Sequence, residues 1–260
     1  MRRFHIAVLT AMAAIGFASI AFTADASDNK PAFNWTGFYF GGHIGGARNA
    51  NDNSFANMFT YPGSPPATIP NLPFDTGGNG INGGVQAGYN LQLNRNWLIG
   101  VEGDFSGTNL DGHQTYNPIP PGPSGYATPP CYITMSRDLS WLTSIRGRFG
   151  FAWDRLLFFA TGGAAWINTD YFGIESRVRG DMTDVADLKL AKTGWAAGGG
   201  VEYAVASNWT IRGEYLSYNT NGVHARSNQV PPIPFPVFTV FDWDKTNIHV
   251  LRFALNFKFH

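Results

Sequence analysis

The thirteen residues Ile81-Asn82-Gly83-Gly84-Val85-Gln86-Ala87-Gly88-Tyr89-Asn90-Leu91-Gln92-Leu93 carry two kinds of side chain in strict alternation. Ile81, Gly83, Val85, Ala87, Tyr89, Leu91 and Leu93 form one series, and Asn82, Gly84, Gln86, Gly88, Asn90 and Gln92 the other. A period of two is the period of a β-strand, with one apolar and one polar face. After Asn94-Arg95-Asn96 the alternation resumes, with Trp97, Ile99, Val101 and Phe105 opposite Gly100, Glu102, Asp104 and Ser106. The whole stretch reads as a hairpin with one continuous apolar face.

The same pattern recurs outward from this hairpin. Leu139, Trp141, Thr143, Ile145, Phe149 and Phe151 oppose Ser140, Ser144, Arg146 and Arg148. Trp195, Ala197, Val201, Tyr203 and Val205 oppose Ala196, Gly198, Gly200 and Glu202, and Trp209, Ile211 and Tyr215 oppose Thr210, Arg212, Glu214 and Tyr218. The last strand sets Leu251, Phe253, Leu255, Phe257 and Phe259 against Arg252, Ala254, Asn256 and Lys258. Segments 36–47 and 156–167 are strand-like but too rich in glycine and alanine for their faces to be assigned. Helical period is confined to 181–192, where a turn or two of helix is expected. Three connections are short (94–96, 152–155 and 206–208), and four are long and rich in Pro, Gly and Asn (48–79, 107–137, 168–191 and 219–245). They alternate strictly, so eight strands have every long loop at one end. The expected fold is all-β: an eight-stranded antiparallel up-and-down transmembrane β-barrel with short periplasmic turns and four long external loops.

Composition agrees with that reading and excludes others. The chain has 260 residues, 18 Lys+Arg, 18 Asp+Glu and one cysteine, with 14% charged and 15% aromatic residues. An ordinary soluble domain carries roughly 25% charged residues. Zero net charge without a basic run leaves a nucleic-acid binder no electrostatic footprint. A single cysteine permits neither a disulfide framework nor a Cys-based metal cluster, and Cys131, within Pro129-Pro130-Cys131-Tyr132, reads as an unpaired loop thiol. Arg2 and Arg3 precede an apolar run from Ile6 to Phe22, and Ala24-Asp25-Ala26 gives a cleavage pattern. Residues 1–26 are therefore expected to be a secretory signal peptide, and 27–260 the outer-membrane barrel domain.

Three features favour a membrane over water. Trp35, Trp97, Trp153 and Trp209 fall on the short-turn side, and Trp141, Trp166, Trp195 and Trp243 on the long-loop side, which suggests two interfacial aromatic girdles. The polar strand face carries Gly, Ser, Asn and Gln with eight charges: Glu102, Asp104, Glu202 and Glu214 against Arg146, Arg148, Arg212 and Arg252. In a narrow lumen these are expected to neutralise one another by bidentate pairing. Leu251, Phe253, Leu255, Phe257 and Phe259 make an amphipathic last strand of the kind read by the outer-membrane assembly machinery, with His260 one residue beyond.

At these residues a family becomes recognisable. Trp35-Thr36-Gly37-Phe38-Tyr39-Phe40-Gly41-Gly42, Gly194-Trp195 through Gly200-Val201-Glu202-Tyr203, and Leu255-Asn256-Phe257-Lys258-Phe259 resemble the alphaproteobacterial small outer-membrane β-barrel surface antigens, commonly named porin-like or opacity-related proteins. The resemblance implies an OmpA-like eight-stranded barrel with roles in envelope integrity, surface exposure and, in some members, host or haem contact. It brings no catalytic residues, and no domain is expected after the barrel.

Other chemistry finds little footing. Gly78-x-Gly80-x-x-Gly83 matches a dinucleotide fingerprint only as a string, because a strand follows it instead of a helix. His113-x-Thr115 is the one His–hydroxyl pair of the kind a lipid-modifying barrel enzyme needs, and it sits in a long loop. The expectation is a non-enzymatic structural and surface-display protein without cofactor or metal, its lumen filled by side chains. Its partners would be outer-membrane lipid and lipopolysaccharide, the assembly machinery and an extracellular ligand met by the loops, with no nucleic acid. The alternatives are a narrow porin-like channel gated by the Arg146 or Arg212 pairs, and a surface haem-binding protein using His113, Tyr116 and His224.

Overall fold

The computed structural model describes residues 33–50, 53–59, 72–117, 131–177, 183–230 and 238–259. The expected leader, residues 1–26, lies outside them. Eight long strands form the wall: β1 (Gly37–Asn49), β4 (Asn79–Gln92), β5 (Trp97–Tyr116), β6 (Cys131–Trp153), β7 (Leu156–Arg177), β8 (Thr183–Ala204), β9 (Trp209–Thr220) and β13 (Thr246–Lys258). Each pairs antiparallel with its neighbours in the order β8-β7-β6-β5-β4-β1-β13-β9, and pairing of β9 with β8 closes the ring. Closure leaves no long unpaired edge, which a sheet in hydrocarbon cannot afford.

The alternation dictates which face lies where. Phe38, Ile44, Ile81, Val101, Phe105, Ile145, Phe149, Ile211, Phe253 and Leu255 point outward and stay exposed. A continuous apolar surface of this extent marks a lipid-facing wall. The inward series carries the polar residues. The two segments whose faces could not be assigned are also resolved: Tyr39, Gly41, His43 and Ala47 of β1, and Leu157, Phe159, Thr161 and Ala165 of β7, turn inward.

The short connections use turn chemistry readable in the sequence. Asn94 Oδ1 accepts hydrogen bonds from the amides of Asn96 and Trp97, at 3.0 and 2.9 Å. Between β6 and β7, Asp154 takes the left-handed conformation, φ 52°, which short Asp-containing hairpin turns use.

The long connections depart from expectation. Strands β5 to β8 run far beyond the lipid-facing band, so much of 107–137 and 168–191 is strand and not irregular loop. The segment expected to be helical lies mostly in β8, and Cys131 opens β6. Four short strands, β2 (Asn53–Phe59), β3 (Leu72–Asp75), β10 (Val223–Arg226) and β12 (Phe238–Trp243), form a second sheet in the order β10-β12-β2-β3, while β11 (Asn228–Val230) pairs with β8. The second sheet packs its Ala56, Leu72, Phe74, Phe241 and Trp243 against Ile133, Met135, Tyr171 and Ala186 on the inner faces of the extended strands. The alternation of β6 changes phase on the way: the pairing shifts register between Leu139 and Trp141. Ser140 is the extra residue, so Leu139 turns inward and not onto the lipid face with Trp141, as β-bulges allow.

Candidate functional site

The interior is filled in layers. At the short-turn end, Trp35, Leu98, Ala152, Leu157 and Ala204 form an apolar floor on which Phe33 packs. Toward the other end, Ala47, Leu110, Leu139, Leu142, Ala165, Ile167, Leu216, Tyr218, Ile248 and Val250 form an apolar roof. The charged residues lie between.

Glu102 and Asp104 come from β5, Arg146 and Arg148 from β6, Glu202 from β8, Arg212 and Glu214 from β9, and Arg252 from β13. All are buried. They join in one alternating chain. Arg148 donates to Glu202, and Arg212 Nε donates to the same carboxylate at 3.0 Å. Arg212 Nη1 then reaches Glu102 at 2.5 Å, and Arg146 bridges Glu102 and Glu214 at 2.7 and 2.9 Å. Arg252 closes the series on Glu214 at 2.8 Å and Asp104 at 2.7 Å. The sign alternates at every step and the eight charges sum to zero. That is how so many ions lie in an enclosed, weakly polarisable space, since removing either partner would leave its neighbour desolvated and unpaired.

Neutral groups complete the layer. Tyr39 donates to Glu102 at 2.5 Å, Thr210 to Glu202 at 2.5 Å and Tyr218 to Asp104 at 3.3 Å, and Ser144 also bonds Asp104. The guanidinium of Arg148 lies 3.9 Å from the Phe159 ring centroid, and that of Arg212 lies 5.3 Å from Tyr39. A Cβ at Gly88 would strike the Tyr39 hydroxyl, so glycine on β4 admits the tyrosine into the layer. His43 meets Ser106 at 2.8 Å above it. Sequence reasoning missed Tyr39 and His43 because β1 has glycine on both faces. The available signal was the size of Phe38, Phe40 and Ile44 on the opposite parity.

The other expected residues are more dispersed. Trp97, Trp153, Trp195 and Trp209 face outward and are exposed, and Trp141 and Trp166 are half-exposed. Trp35 and Trp243 differ from the girdle expectation, each being only 1% exposed. Trp35 precedes β1 and folds into the floor, its indole donating to Asp154 O at 3.3 Å. Trp243 belongs to the outer core and donates to Ser136 O at 3.1 Å. Each indole therefore finds its polar partner inside the protein and not among headgroups. Leu251, Phe253, Leu255 and Phe259 are exposed on the outer face and Phe257 is half-exposed, with Phe257 and Phe259 in edge contact at 5.2 Å. His113 lies on β5 opposite Ser136, Tyr116 donates to Pro73 O, and His224 on β10 bonds Asp242 at 2.5 Å. No contact joins these three among the described residues, and no group of three or more His, Cys, Asp or Glu there could hold a metal ion.

The family described as Outer membrane protein beta-barrel domain matches residues 10–259. The 31 kDa outer-membrane immunogenic protein of Brucella melitensis is 32% identical, with 97% of this chain and 99% of that protein covered. The 22 kDa outer membrane protein of Rhizobium leguminosarum bv. viciae is 28% identical over 72% of this chain and 64% of that protein. Among solved structures, the outer membrane protease OmpT from Escherichia coli aligns with a TM-score of 0.47 at 8% identity, covering 90% of this chain and all of that one.

Proposed function

This chain belongs to the outer membrane protein beta-barrel domain family of the outer membrane, and from that premise we propose that it is a non-enzymatic structural and surface-display barrel whose lumen is sealed by its own side chains. The observation that carries the proposal is the alternating chain from Arg148 to Asp104, held between two apolar layers. Eight strands enclose an interior that side chains just fill. A solute crossing it would have to break several desolvated ion pairs at once. The external sheet and the strands beneath it are what the molecule offers to its surroundings. The remaining assignments belong to the same reading: residues 1–26 act as a cleaved leader, the outward tryptophans anchor the barrel at the interfaces, and Leu251 to Phe259 serve as its assembly signal.

Proteoliposome swelling with small sugars tests the seal. Vesicles containing the refolded protein should swell no faster than protein-free vesicles, and swelling at the rate given by a general porin would overturn the proposal.

One observation favours a narrower second reading. Asn82, Gln86 and Asn90 lie on the inward face of β4, with Gln86 opposite Asp104, and each has a buried side-chain atom without a hydrogen-bond partner among the described residues. A seam of neutral amides is where water or one small ion would pass. Ion currents abolished by Asn82→Leu would support that path over a complete seal.

A further inference from the structure

Outward-facing positions on β9, β13 and β1 are apolar up to a sharp boundary. Along the rung Val201–Gly213–Phe253–Ile44 every side chain is apolar or absent, as it is along Tyr203–Ile211–Leu255–Gly42 apart from the tyrosine hydroxyl. These residues line an open groove of about 800 Å³ on the lipid-facing wall. One rung further out come Tyr215, Leu251 and Gly46, and a Cβ at Gly46 would meet nothing within 4 Å, so no side chain fills that position between the groove and the next rung.

The next rung is polar throughout: Ser217, His249, Arg48 and Asn79 stand side by side across four strands. The Tyr215 hydroxyl and His249 Nδ1 are 2.5 Å apart with their rings stacked, which leaves Nε2 as the ring nitrogen that can meet a ligand. Above them Ser217 donates to Asn247 at 3.3 Å, Asn219 donates to Ser217 at 3.2 Å, and exposed Trp195 stands beside Asn219. Arg48 is exposed and has no ion-pair partner among the described residues. From Phe38 to Arg48 is ten residues, and at ~3.3 Å per residue with a tilt of ~40° this spans about 25 Å, the height of a barrel's apolar band. Arg48 and His249 therefore sit at the outer headgroup level.

We propose that this face is a binding site for a phosphate-bearing lipid of the outer leaflet, its phosphate held by Arg48 and the His249 imidazole and one acyl chain passing over Gly46 into the groove at Gly213. The chemistry selects that occupant. A guanidinium beside an imidazole matches a phosphate, which Arg engages through two N–H groups at once. The groove starts beyond the rung of Tyr215, Leu251 and Gly46, and its outward side chains are apolar apart from the Tyr203 hydroxyl. A soluble anion would have no use for the groove, and a neutral lipid none for Arg48. The site does not depend on whether the lumen is sealed.

Native mass spectrometry of the detergent-refolded full chain provides the test, with diphosphoryl lipid A as probe. The wild type should retain one lipid, and the combined Arg48→Ala and His249→Ala variant should retain it at least about tenfold less, the loss of one or more charge-assisted hydrogen bonds. The same lipid stripped of its phosphates should bind the wild type as weakly as the intact lipid binds the variant, a control that involves no mutant folding. Equal retention of the two lipids, unchanged retention by the variant, or displacement of the lipid by inorganic phosphate alone would each overturn the proposal.

Discussion

Arg146 hydrogen-bonds two carboxylates of the charge layer, Glu102 at 2.7 Å and Glu214 at 2.9 Å, lies 3.6 Å from Asp104, and its side chain is fully buried. Arg146→Met keeps the bulk and removes the cation, leaving both acids with less compensation in a space where each ion depends on its neighbour. The expected cost is about 3–5 kcal/mol, read as a lower urea midpoint for unfolding from phospholipid vesicles. Adding Glu214→Gln should recover part of the loss, because it removes one of the stranded charges. Outside the membrane, Asp111, Asp138 and Asp170 stand next to one another across β5, β6 and β7. Partial burial first, and then the two neighbouring aspartates, push the Asp138 carboxyl above its usual range. A raised carboxyl opposes folding once pH exceeds its folded-state value, and the penalty fades as pH falls below the ordinary carboxylate range. Asp138→Asn should therefore raise the unfolding midpoint at neutral pH, with the gain disappearing in acid. The eight lumen charges were legible because each falls at even spacing on a strand face made mostly of Gly, Ser, Asn and Gln. Their order in the chain of pairs was not, since it depends on how far each strand is staggered around the ring.

Strand β6 shows what alternation can and cannot convey. From Leu142 to Ala152 its even-numbered residues turn inward, while from Ile133 to Leu139 the odd ones do. The phase change at Ser140 has no signal of its own in a run of Leu, Ser and Trp that fits one face without it. The outer strands were missed for a related reason. Leu72-Pro73-Phe74-Asp75 and Val223-His224-Ala225-Arg226 alternate over only four residues each, too few to stand apart from the loop sequence around them. The two buried tryptophans follow from the same limit: alternation sets their level along the chain, but not that Trp35 folds across the barrel mouth. Deleting Ser140 would turn Ile133, Met135 and Arg137 away from the outer core while leaving the membrane half of β6 in phase. The expected result is a barrel that still resists unfolding in detergent but loses its external part to limited proteolysis. Protease resistance equal to the wild type would contradict the bulge assignment.

Across the whole molecule, the ring, the outward apolar wall and the inward polar layer follow from one pattern repeated eight times, which is why the fold was readable from a single hairpin. Scarce charge and abundant aromatics have the same origin: one strand face meets lipid, and the other meets a lumen with room for a few compensated ions. What repetition does not reveal is how completely that lumen is filled, because the filling comes from residues such as Trp35, Tyr39 and Leu110 contributed by different strands. The stacked floor, charge layer and roof make a sealed barrel the central claim. Single-channel recording in planar bilayers tests it most directly. The refolded protein should give no stable conductance steps above background in molar salt, whereas long-lived steps of porin size would contradict the account.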